Sequence, residues 1–455
     1  MVNVLSRKLV KPSKPTPPHL RTYNISVMDE INPSMFVVRI LYYQSGAIEG
    51  KMDSLEESLA QVLSLFYPLA GRYDKEKRVV NCNDEGAQYS IAEVKYQLNQ
   101  LIEGKVEMEQ LNLLLPLQIG AADEPQDPML ALQINRFECG GTAIAVCASH
   151  RIFDAGSVSI FLTAWSNAAT GGGGRPAITP VFDTSSYFPS ENLPPLQTHE
   201  SRTRNKKIVV KRLVFTKTAL SKLRDRLSTA WKSTGSQRPP SRVAVASAVL
   251  IQALLRADRA KYGKSRASLI AQAINVRGRT IPPVSKHSCG SWATFSNLEL
   301  DANESREMAT DFPGLVLKMR DAAARGVDDC ARILTDREFG RWALVGSYVE
   351  AAQKADGGDC KVVWISDWSK FGDYEVDLGF GKPVWVSLAG GRLEDIFVLM
   401  NMKDKEGIEV WLSLQESDMR FLEQDEEIRM FTVMSGSVTE PRILMGGYRS
   451  ELSRM

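Results

Sequence analysis

The chain has 455 residues, of which 44% are hydrophobic and 24% are charged, and its formal net charge is only +2. This balance excludes a strongly basic surface, so we expect no nucleic-acid partner. A chain of this length favours two domains over a single core. The sequence has no apolar run of eighteen or more residues, and residues 1–18 are basic and proline-rich. We therefore expect no membrane segment and a cytoplasmic location.

The N-terminal half alternates helix and strand patterns. Residues 55–65 repeat apolar side chains with the period of a helix, and residues 142–148 (TAIAVCA) form an apolar run of strand length. Apolar residues at i, i+3, i+4 and i+7 from Val158 predict an amphipathic helix that begins near Asp154 or Ser157. The glycines at 171–174 end this helix.

A candidate linker at residues 170–205 separates the two halves, because it contains four consecutive glycines, several prolines and several serines. Beyond it, strand patterns at 208–215 and 269–276 alternate with helix patterns at 217–227 and from about Ser241. Both halves are therefore predicted to be mixed α/β.

His150 is the strongest candidate for chemistry, because the chain has only four histidines and this one directly follows a predicted strand. A side chain in such a turn can face a cleft, and imidazole can take a proton from a hydroxyl near neutral pH. Three roles are open for Asp154: it orients the imidazole, caps the following helix, or pairs with a distant arginine. Cys147 lies in the apolar strand and is expected to be a packing residue, which disfavours a Cys/His nucleophile pair.

Neither disulfides nor a metal site are expected. The six cysteines are dispersed without a C-x-x-C pair, which is typical of reduced thiols. His150 and Asp154 could supply half of a metal site, but no cluster of His or Cys completes it. The last three residues, Ser453-Arg454-Met455, resemble a variant of the S-K-L peroxisomal signal and leave the peroxisome as an alternative location.

Four further segments accompany the H-x-x-x-D motif at 150–154. They are KPSKPTPP at 11–18 with ISVMD at 25–29, FYPLAGR at 66–72 with NDEG at 83–86, NVRGR at 275–279 with PP at 282–283, and DLGFGKP at 377–383. In this order they resemble the motifs of the plant BAHD acyl-CoA-dependent acyltransferases, and the resemblance covers nearly the whole chain. The opening motif and the sequence around His150 look most like the alkaloid O-acetyltransferase branch.

Two segments depart from the family pattern. Leu378 and Phe380 stand where the family has the aromatic residue and the tryptophan of D-F-G-W-G. Phenylalanine has no N–H to donate, so the motif is expected to shape the domain instead of reacting. Cys289-Gly290-Ser291 stands where anthocyanin-acylating members usually read F-G-N, which disfavours a flavonoid glycoside acceptor.

The resemblance implies an α/β fold with two similar domains that are related to chloramphenicol acetyltransferase. Each domain would carry a mixed sheet, and a tunnel between the domains would reach His150 from both mouths. We expect residues 1–185 to form the N-terminal domain, 186–207 a crossover linker and 208–455 the C-terminal domain of a monomer.

The resemblance also implies site residues. His150, Asp154 and Asp377 are the catalytic candidates, although Gly379 and Gly381 beside Asp377 favour a tight turn. Trp368 would place an indole N–H near the thioester, and a core tryptophan is the alternative.

Further residues are implied around coenzyme A and around the catalytic turn. Ser366 would contact the pantetheine arm. Ser241 and Arg242 open a predicted helix, where free N–H groups and a guanidinium suit a phosphate or pantetheine contact. A capped core helix with a solvated arginine is the alternative. The segment with Asn275 and Arg277 would support the site structurally, and we expect Arg277 to pair with Asp154.

The function implied is acyl-CoA-dependent O-acylation without a permanently bound cofactor. Acetyl transfer from acetyl-CoA to an alkaloid or terpenoid alcohol is the leading expectation, with His150 as general base in a ternary complex. The alternatives are hydroxycinnamoyl or benzoyl transfer to an alcohol or amine, and a non-catalytic relative that binds CoA or a metabolite.

Overall fold

The computed structural model describes residues 1–44, 46, 48–103, 107–120, 124–172, 177–193, 206–233, 235, 239–390 and 393–434. Residues 194–205 of the predicted linker and the C-terminal Ser453-Arg454-Met455 lie outside the described residues.

The strands form three sheets. Their bounds are β1 Val2–Val10, β2 Thr22–Asn24, β3 Phe36–Tyr43, β4 Arg72–Asp74, β5 Val79–Asn81, β6 Ala87–Val94, β7 Leu130–Phe137, β8 Thr142–Ser149, β9 Ile208–Phe215, β10 Ala267–Asn275, β11 Ala293–Leu300, β12 Cys360–Asp367, β13 Trp385–Ser387, β14 Ile396–Asn401, β15 Ile408–Gln415 and β16 Val433–Met434.

The α-helices cover and connect these sheets. Their bounds are α1 Val27–Ile31, α2 Met52–Leu63, α3 Leu98–Glu103, α4 Met108–Asn112, α5 Ala155–Ala169, α6 Thr184–Tyr187, α7 Lys217–Lys232, α8 Arg242–Tyr262, α9 Ala302–Met308, α10 Phe312–Asp329, α11 Arg337–Arg341, α12 Ser347–Gly357, α13 Glu416–Gln424 and α14 Glu426–Phe431.

The first large sheet has the order β1-β6-β7-β8-β3-β13 and is mixed, because β6 and β7 are parallel while their neighbours are antiparallel. Every residue of β3 and β8 is buried, and apart from Arg39 and the terminal Thr142 and Ser149 their sequences are continuous apolar runs instead of alternating patterns. The register pairs Phe36 with Ser149, so β8 ends beside the beginning of β3. This register fixes where the chain leaves the sheet toward His150.

The second large sheet has the order β11-β10-β12-β14-β15-β9-β16, with β10, β12 and β14 parallel. Helix α8 is its central packing element, and residues Val245 to Leu255 of that helix are buried. Ser241 caps α8 by accepting a hydrogen bond from the Ala244 N–H at 3.0 Å. Two mixed sheets with covering helices confirm the predicted α/β class.

Strand β13 crosses between the halves. It lies in the second half of the sequence, yet Trp385 pairs with Tyr42 of β3 in the first sheet, and the two rings stack at 4.7 Å. The predicted C-terminal domain, 208–455, therefore contributes a strand to the sheet of the N-terminal one. A three-residue strand has too short a pattern to be recognised in sequence.

Residues 177–193 of the predicted linker contain defined structure. Helix α6 lies in this segment, and Val181 and Pro189 form bridges with Ser288 and Ser26. Thr184 is buried and its hydroxyl shares a hydrogen bond with the Tyr23 hydroxyl at 3.1 Å. Burial of these side chains fixes the segment against both halves.

Among the helices of the described residues, none is both long and apolar enough to cross a bilayer.

Candidate active site

His150 lies in the turn between β8, which ends at Ser149, and α5, which begins at Ala155. Two hydrogen bonds hold its backbone: its N–H donates to the Met35 carbonyl at 2.8 Å, and Asn32 Nδ2 donates to its carbonyl at 2.8 Å. The position of the imidazole is therefore set by the beginning of β3 and by the chain that leads into it.

His150 is half-buried, and it lines a cavity. Burial lowers the pKa of His150 below its ordinary value of 6.5, and the negative charge of Asp154 opposes that shift. Nδ1 is buried and has no hydrogen-bond partner among the described groups. The ring is thus neutral near pH 7, which is the state that a general base requires.

The cavity beside His150 has a volume of about 290 Å³ and is lined by both halves of the chain. Met35, Phe36 and Val38 line it from the first half, and Phe295 and Trp364 from the second. Most of the wall is apolar, so a bound organic molecule would lose its water there. Six of the predicted site residues line this cavity, namely His150, Asp154, Asn275, Arg277, Ser366 and Trp368.

Asp154 both caps a helix and pairs with an arginine. Its Oδ1 accepts the Ser157 N–H at 2.7 Å and caps α5, while Arg277 Nη1 and Nη2 donate to Oδ2 and Oδ1 at 2.9 Å each. Oδ2 also accepts the Trp292 N–H at 3.0 Å. Among the described contacts, no hydrogen bond joins this carboxylate to the imidazole. Two of the three open roles are therefore occupied in the structure.

The ion pair between Asp154 and Arg277 is buried, and it joins the turn after β8 to the chain after β10. Burial by itself would raise the pKa of Asp154, but Arg277 and the N–H donors hold it below its ordinary range. Arg277 also donates to the carbonyls of Ser288 and Gly290 and to the side chain of Asn275. The guanidinium is thus committed to protein groups, and it braces the turn that carries His150 and Asp154.

Trp368 and Ser366 lie at the end of β12 and line the cavity together. The Trp368 indole N–H donates to Ser366 Oγ at 2.8 Å. The Arg39 guanidinium stacks on the same indole, with its central carbon 3.6 Å from the ring centroid. Trp368 is thus a wall residue of the cavity, and its N–H is already bonded to a neighbouring hydroxyl.

Asp377 occupies a turn that lies outside the lining of this cavity among the described residues. Its Oδ1 accepts the N–H groups of Gly379 and Gly381, each at 2.9 Å, and the glycines adopt φ of +89° and +99°. Such φ values favour glycine. The Phe380 ring packs edge-on against Tyr43 at 4.8 Å, so this position packs as the sequence predicted.

Ser241 and Arg242 also lie apart from the cavity. Arg242 donates to Asn401 Oδ1 at 2.9 Å and to the carbonyls of Lys405 and Gly407, so its guanidinium links α8 to the turn after β14. A coenzyme contact at this helix start remains a prediction.

Sequence reasoning missed two residues that support the site, Asn32 and Arg39. Asn32 follows α1 and holds the His150 carbonyl. Arg39 is fully buried in β3, where its Nε donates to Asp373 Oδ2 at 3.2 Å. A lone arginine within the apolar run FVVRILYY was the available signal, because unpaired charges are rarely buried. No group of three or more His, Cys, Asp or Glu that could hold a metal occurs in the described part of the chain.

Known proteins resemble this chain over most of its length. Residues 1–429 match the model described as Transferase family. The pelargonidin 3-O-(6-caffeoylglucoside) 5-O-(6-O-malonylglucoside) 4'''-malonyltransferase of Salvia splendens is 37% identical over 435 residues, which cover 94% of this chain and 99% of that protein. Stemmadenine O-acetyltransferase of Catharanthus roseus is 31% identical, with 93% and 96% covered. The crystal structure of vinorine synthase, a protein of Rauvolfia serpentina, matches with a TM-score of 0.79 at 30% identity and covers 96% of this chain and 99% of that one.

The chain therefore belongs to the BAHD transferase family, and it is an acyltransferase. Members of this family take the acyl group from an acyl-CoA co-substrate and pass it to a small-molecule acceptor. The resemblance that the motifs predicted is confirmed, as is the fold that it implied.

Proposed function

We propose that the protein transfers an acyl group from acyl-CoA directly to the hydroxyl of a small molecule, with His150 as the general base. The observation that carries this proposal is a neutral, half-buried imidazole that faces an apolar cavity built from both halves. General-base assistance is worth about 10²- to 10⁴-fold in rate.

The reaction needs three events at this cavity. The acceptor oxygen gives its proton to His150 and forms a bond to the thioester carbonyl carbon. The carbonyl oxygen becomes an oxyanion that needs hydrogen-bond donors. The carbon–sulfur bond then breaks, and the proton held by His150 returns to the departing CoA thiolate. The product is an ester, and no other reactant is consumed.

A covalent acyl-enzyme finds no support at Cys147, the cysteine nearest to His150 in sequence. Its thiol is fully buried in β8, and burial raises its pKa well above the ordinary range. A thiol in this state does not supply a nucleophilic thiolate. Direct transfer in a ternary complex is therefore the simpler mechanism.

The charges of the wall favour a neutral acyl group, and we propose acetyl. Among the described lining residues, the only Lys or Arg is Arg277, and its guanidinium is committed to Asp154. A malonyl group would bring a free carboxylate without such a partner, which is costly in an apolar cavity. The name of stemmadenine O-acetyltransferase agrees with this preference.

The apolar wall also favours an acceptor that carries its hydroxyl on a hydrophobic skeleton, such as an alkaloid or terpenoid alcohol. We further propose that the protein is a monomer and lies in the cytoplasm. Malonyl transfer to a flavonoid glycoside is the competing reaction with the strongest support, because the Salvia splendens relative shares 37% identity. Aromatic acyl transfer, transfer to an amine and a non-catalytic CoA-binding role have less support.

Release of free thiol from acyl-CoA tests the proposal. Wild type and His150→Ala would be compared with acetyl-CoA, malonyl-CoA and an aromatic acyl-CoA, each with pooled alkaloid, terpenoid and phenolic alcohols. We expect release from acetyl-CoA that requires both an alcohol and His150, with a loss of about 10²-fold or more in the variant.

His19→Ala is the matched control, because it removes an exposed histidine from a surface position. It should keep the wild-type rate. If thiol were released faster from malonyl-CoA than from acetyl-CoA, malonyl would replace acetyl as the proposed acyl group. Full activity of His150→Ala would reject His150 as the general base. If no pair of acyl-CoA and acceptor released thiol while the protein still bound CoA, a non-catalytic CoA-binding role would be favoured.

A further inference from the structure

A second cavity lies behind the cavity that His150 lines. Its volume is about 310 Å³, and it lies at the beginning of β12, between the end of α8 and the segment that leads into β14. Among the residues that the structure describes, Trp364 alone lines both cavities. One side chain therefore stands between the space beside His150 and this second space.

Charged side chains line the second cavity, the polar cavity, and they neutralise one another. Lys361 Nζ lies 2.7 Å from Asp395 Oδ1 and 3.2 Å from Asp418 Oδ2, and Arg266 pairs with Asp258. An added ion would have to break one of these pairs, so the cavity suits an uncharged polar chain. The Lys361 ammonium has three N–H donors, of which the described contacts use two. The third can bond to an ether or hydroxyl oxygen of such a chain.

Trp364 is held in place by its neighbours. The residue is 6% exposed, and its backbone N–H donates to the Asp395 carbonyl at 2.8 Å. Its ring packs edge-on against Phe295, with the two centroids 5.2 Å apart, and its centroid lies 5.3 Å from that of Tyr348. Aromatic pairs at such distances contribute stability beyond the burial of their area. The indole is therefore a fixed partition, and a bound molecule has to fit around it.

The register of the second sheet places this indole on the wall of the His150 cavity. Trp364 pairs with Ile396, and Ile396 pairs with Ser413. Residues that pair across strands project from the same face of a sheet, and both of these partners line the His150 cavity. The indole thus closes this cavity toward the beginning of β12, where the polar cavity lies.

We propose that Trp364 is a specificity-determining residue, because its indole closes the acceptor space toward the polar cavity. An alcohol on a compact hydrophobic skeleton fits beside His150, whereas an alcohol that extends into a long uncharged polar arm, such as a sugar, meets the indole. This inference rests on the proposed function and narrows its acceptor class to alcohols without such an arm. Trp364 takes no part in the acyl transfer itself.

A matched set of acceptors tests the partition. Benzyl alcohol, 4-pentylbenzyl alcohol and 4-(2-methoxyethoxy)benzyl alcohol each carry one reacting hydroxyl, and the last two have an apolar and a polar arm of equal length. Their kcat/KM with acetyl-CoA is measured for wild type and for Trp364→Ala. Loss of the indole should raise kcat/KM for the ether compound relative to the pentyl compound by about tenfold, because only the ether oxygens can bond to donors of the polar cavity.

Phe295→Ala is the matched control, because Phe295 is an aromatic residue that lines the His150 cavity but not the polar cavity. It enlarges one space without joining the two, so the ether-to-pentyl ratio of kcat/KM should keep its wild-type value. Trp364→Phe keeps an aromatic ring beside Phe295 and should give a ratio between those of wild type and Trp364→Ala; it decides the question if Trp364→Ala does not fold. An unchanged ratio in the folded Trp364 variants, or an equal rise in Phe295→Ala, would overturn the partition.

A crystal structure of Trp364→Ala with the ether compound gives a test that does not depend on turnover. We expect the arm to enter the polar cavity, with an ether oxygen within hydrogen-bond distance of Lys361 Nζ. A polar cavity that the arm does not enter would contradict the inference.

Failure of this inference and failure of the proposed function give different results. A wild-type protein that transfers no acyl group to any alcohol would reject the general-base reaction, while the crystal structure would still report on the partition. Acylation that requires His150, with an ether-to-pentyl ratio that loss of the indole leaves unchanged, would reject the partition alone.

Discussion

Two aspartates from the two most recognisable motifs, Asp154 and Asp377, are used in different ways. Asp154 is 8% exposed and holds Arg277, which lies 123 residues further along the chain. Asp377 is half-buried and accepts the N–H groups of Gly379 and Gly381, two and four residues away. One carboxylate ties distant segments together beside His150, and the other closes its own turn.

The difference shows that a carboxylate in a motif is not necessarily a reacting group. Both oxygens of Asp154 and Oδ1 of Asp377 accept hydrogen bonds from protein donors, and Asp377 lies outside the lining of the cavity. We therefore expect neither carboxylate to take a proton from a substrate. Asp154 can still affect catalysis, because its charge acts on the His150 imidazole and its ion pair fixes the turn. We expect Asp377 to affect stability more than turnover.

Breaking the long-range ion pair should have the largest effect. Arg277→Ala leaves the Asp154 carboxylate buried without its cation, and we expect a loss of about 3–5 kcal/mol in the free energy of unfolding. Urea denaturation followed by tryptophan fluorescence measures it. The double variant Arg277→Ala with Asp154→Asn also removes the buried negative charge and should recover part of the loss; equal stability of the single and double variants would contradict this account.

Opening the local turn should have a smaller effect. Asp377→Ala removes two hydrogen bonds to backbone N–H groups, which we expect to cost about 1–3 kcal/mol. The kcat/KM of the folded protein should stay within about threefold of wild type, because the turn lies outside the cavity lining. A loss of 10²-fold in kcat with intact stability would instead place Asp377 in the chemistry.

The pH profile should show the smallest effect and should separate the two aspartates. The pKa of His150 is lowered by burial, so kcat/KM should rise with pH to a plateau with a midpoint below 6.5. The charge of Asp154 raises this pKa, so Asp154→Asn should move the midpoint to still lower pH. Asp377→Asn should leave it unchanged; a shift of the same size would show that the turn charge also acts on His150.

Local patterns were sufficient for many of the elements. The strand pattern at 208–215 coincides with β9, Ile208–Phe215, and Asp154 caps a helix that begins at Ala155. Such features depend on neighbours within a few residues, and those neighbours are visible in the sequence.

Long-range contacts could not be predicted from the sequence in the same way. The partner of Trp368 N–H depends on a ring orientation that Arg39 fixes from β3, more than 300 residues earlier. Likewise, Arg242 is committed to the turn after β14, although its position at a helix start suggested an open site. The motifs identified the family, whereas the assignment of hydrogen bonds required the folded arrangement of both halves.

Strand β13 has a consequence for synthesis of the protein on the ribosome. Until residue 387 has emerged, the backbone of β3 lacks one of its two hydrogen-bonded neighbours. An open edge of this kind can pair with another nascent chain. The first sheet is therefore completed only after most of the second half has been translated, and protection of that edge by a chaperone would matter most during this interval.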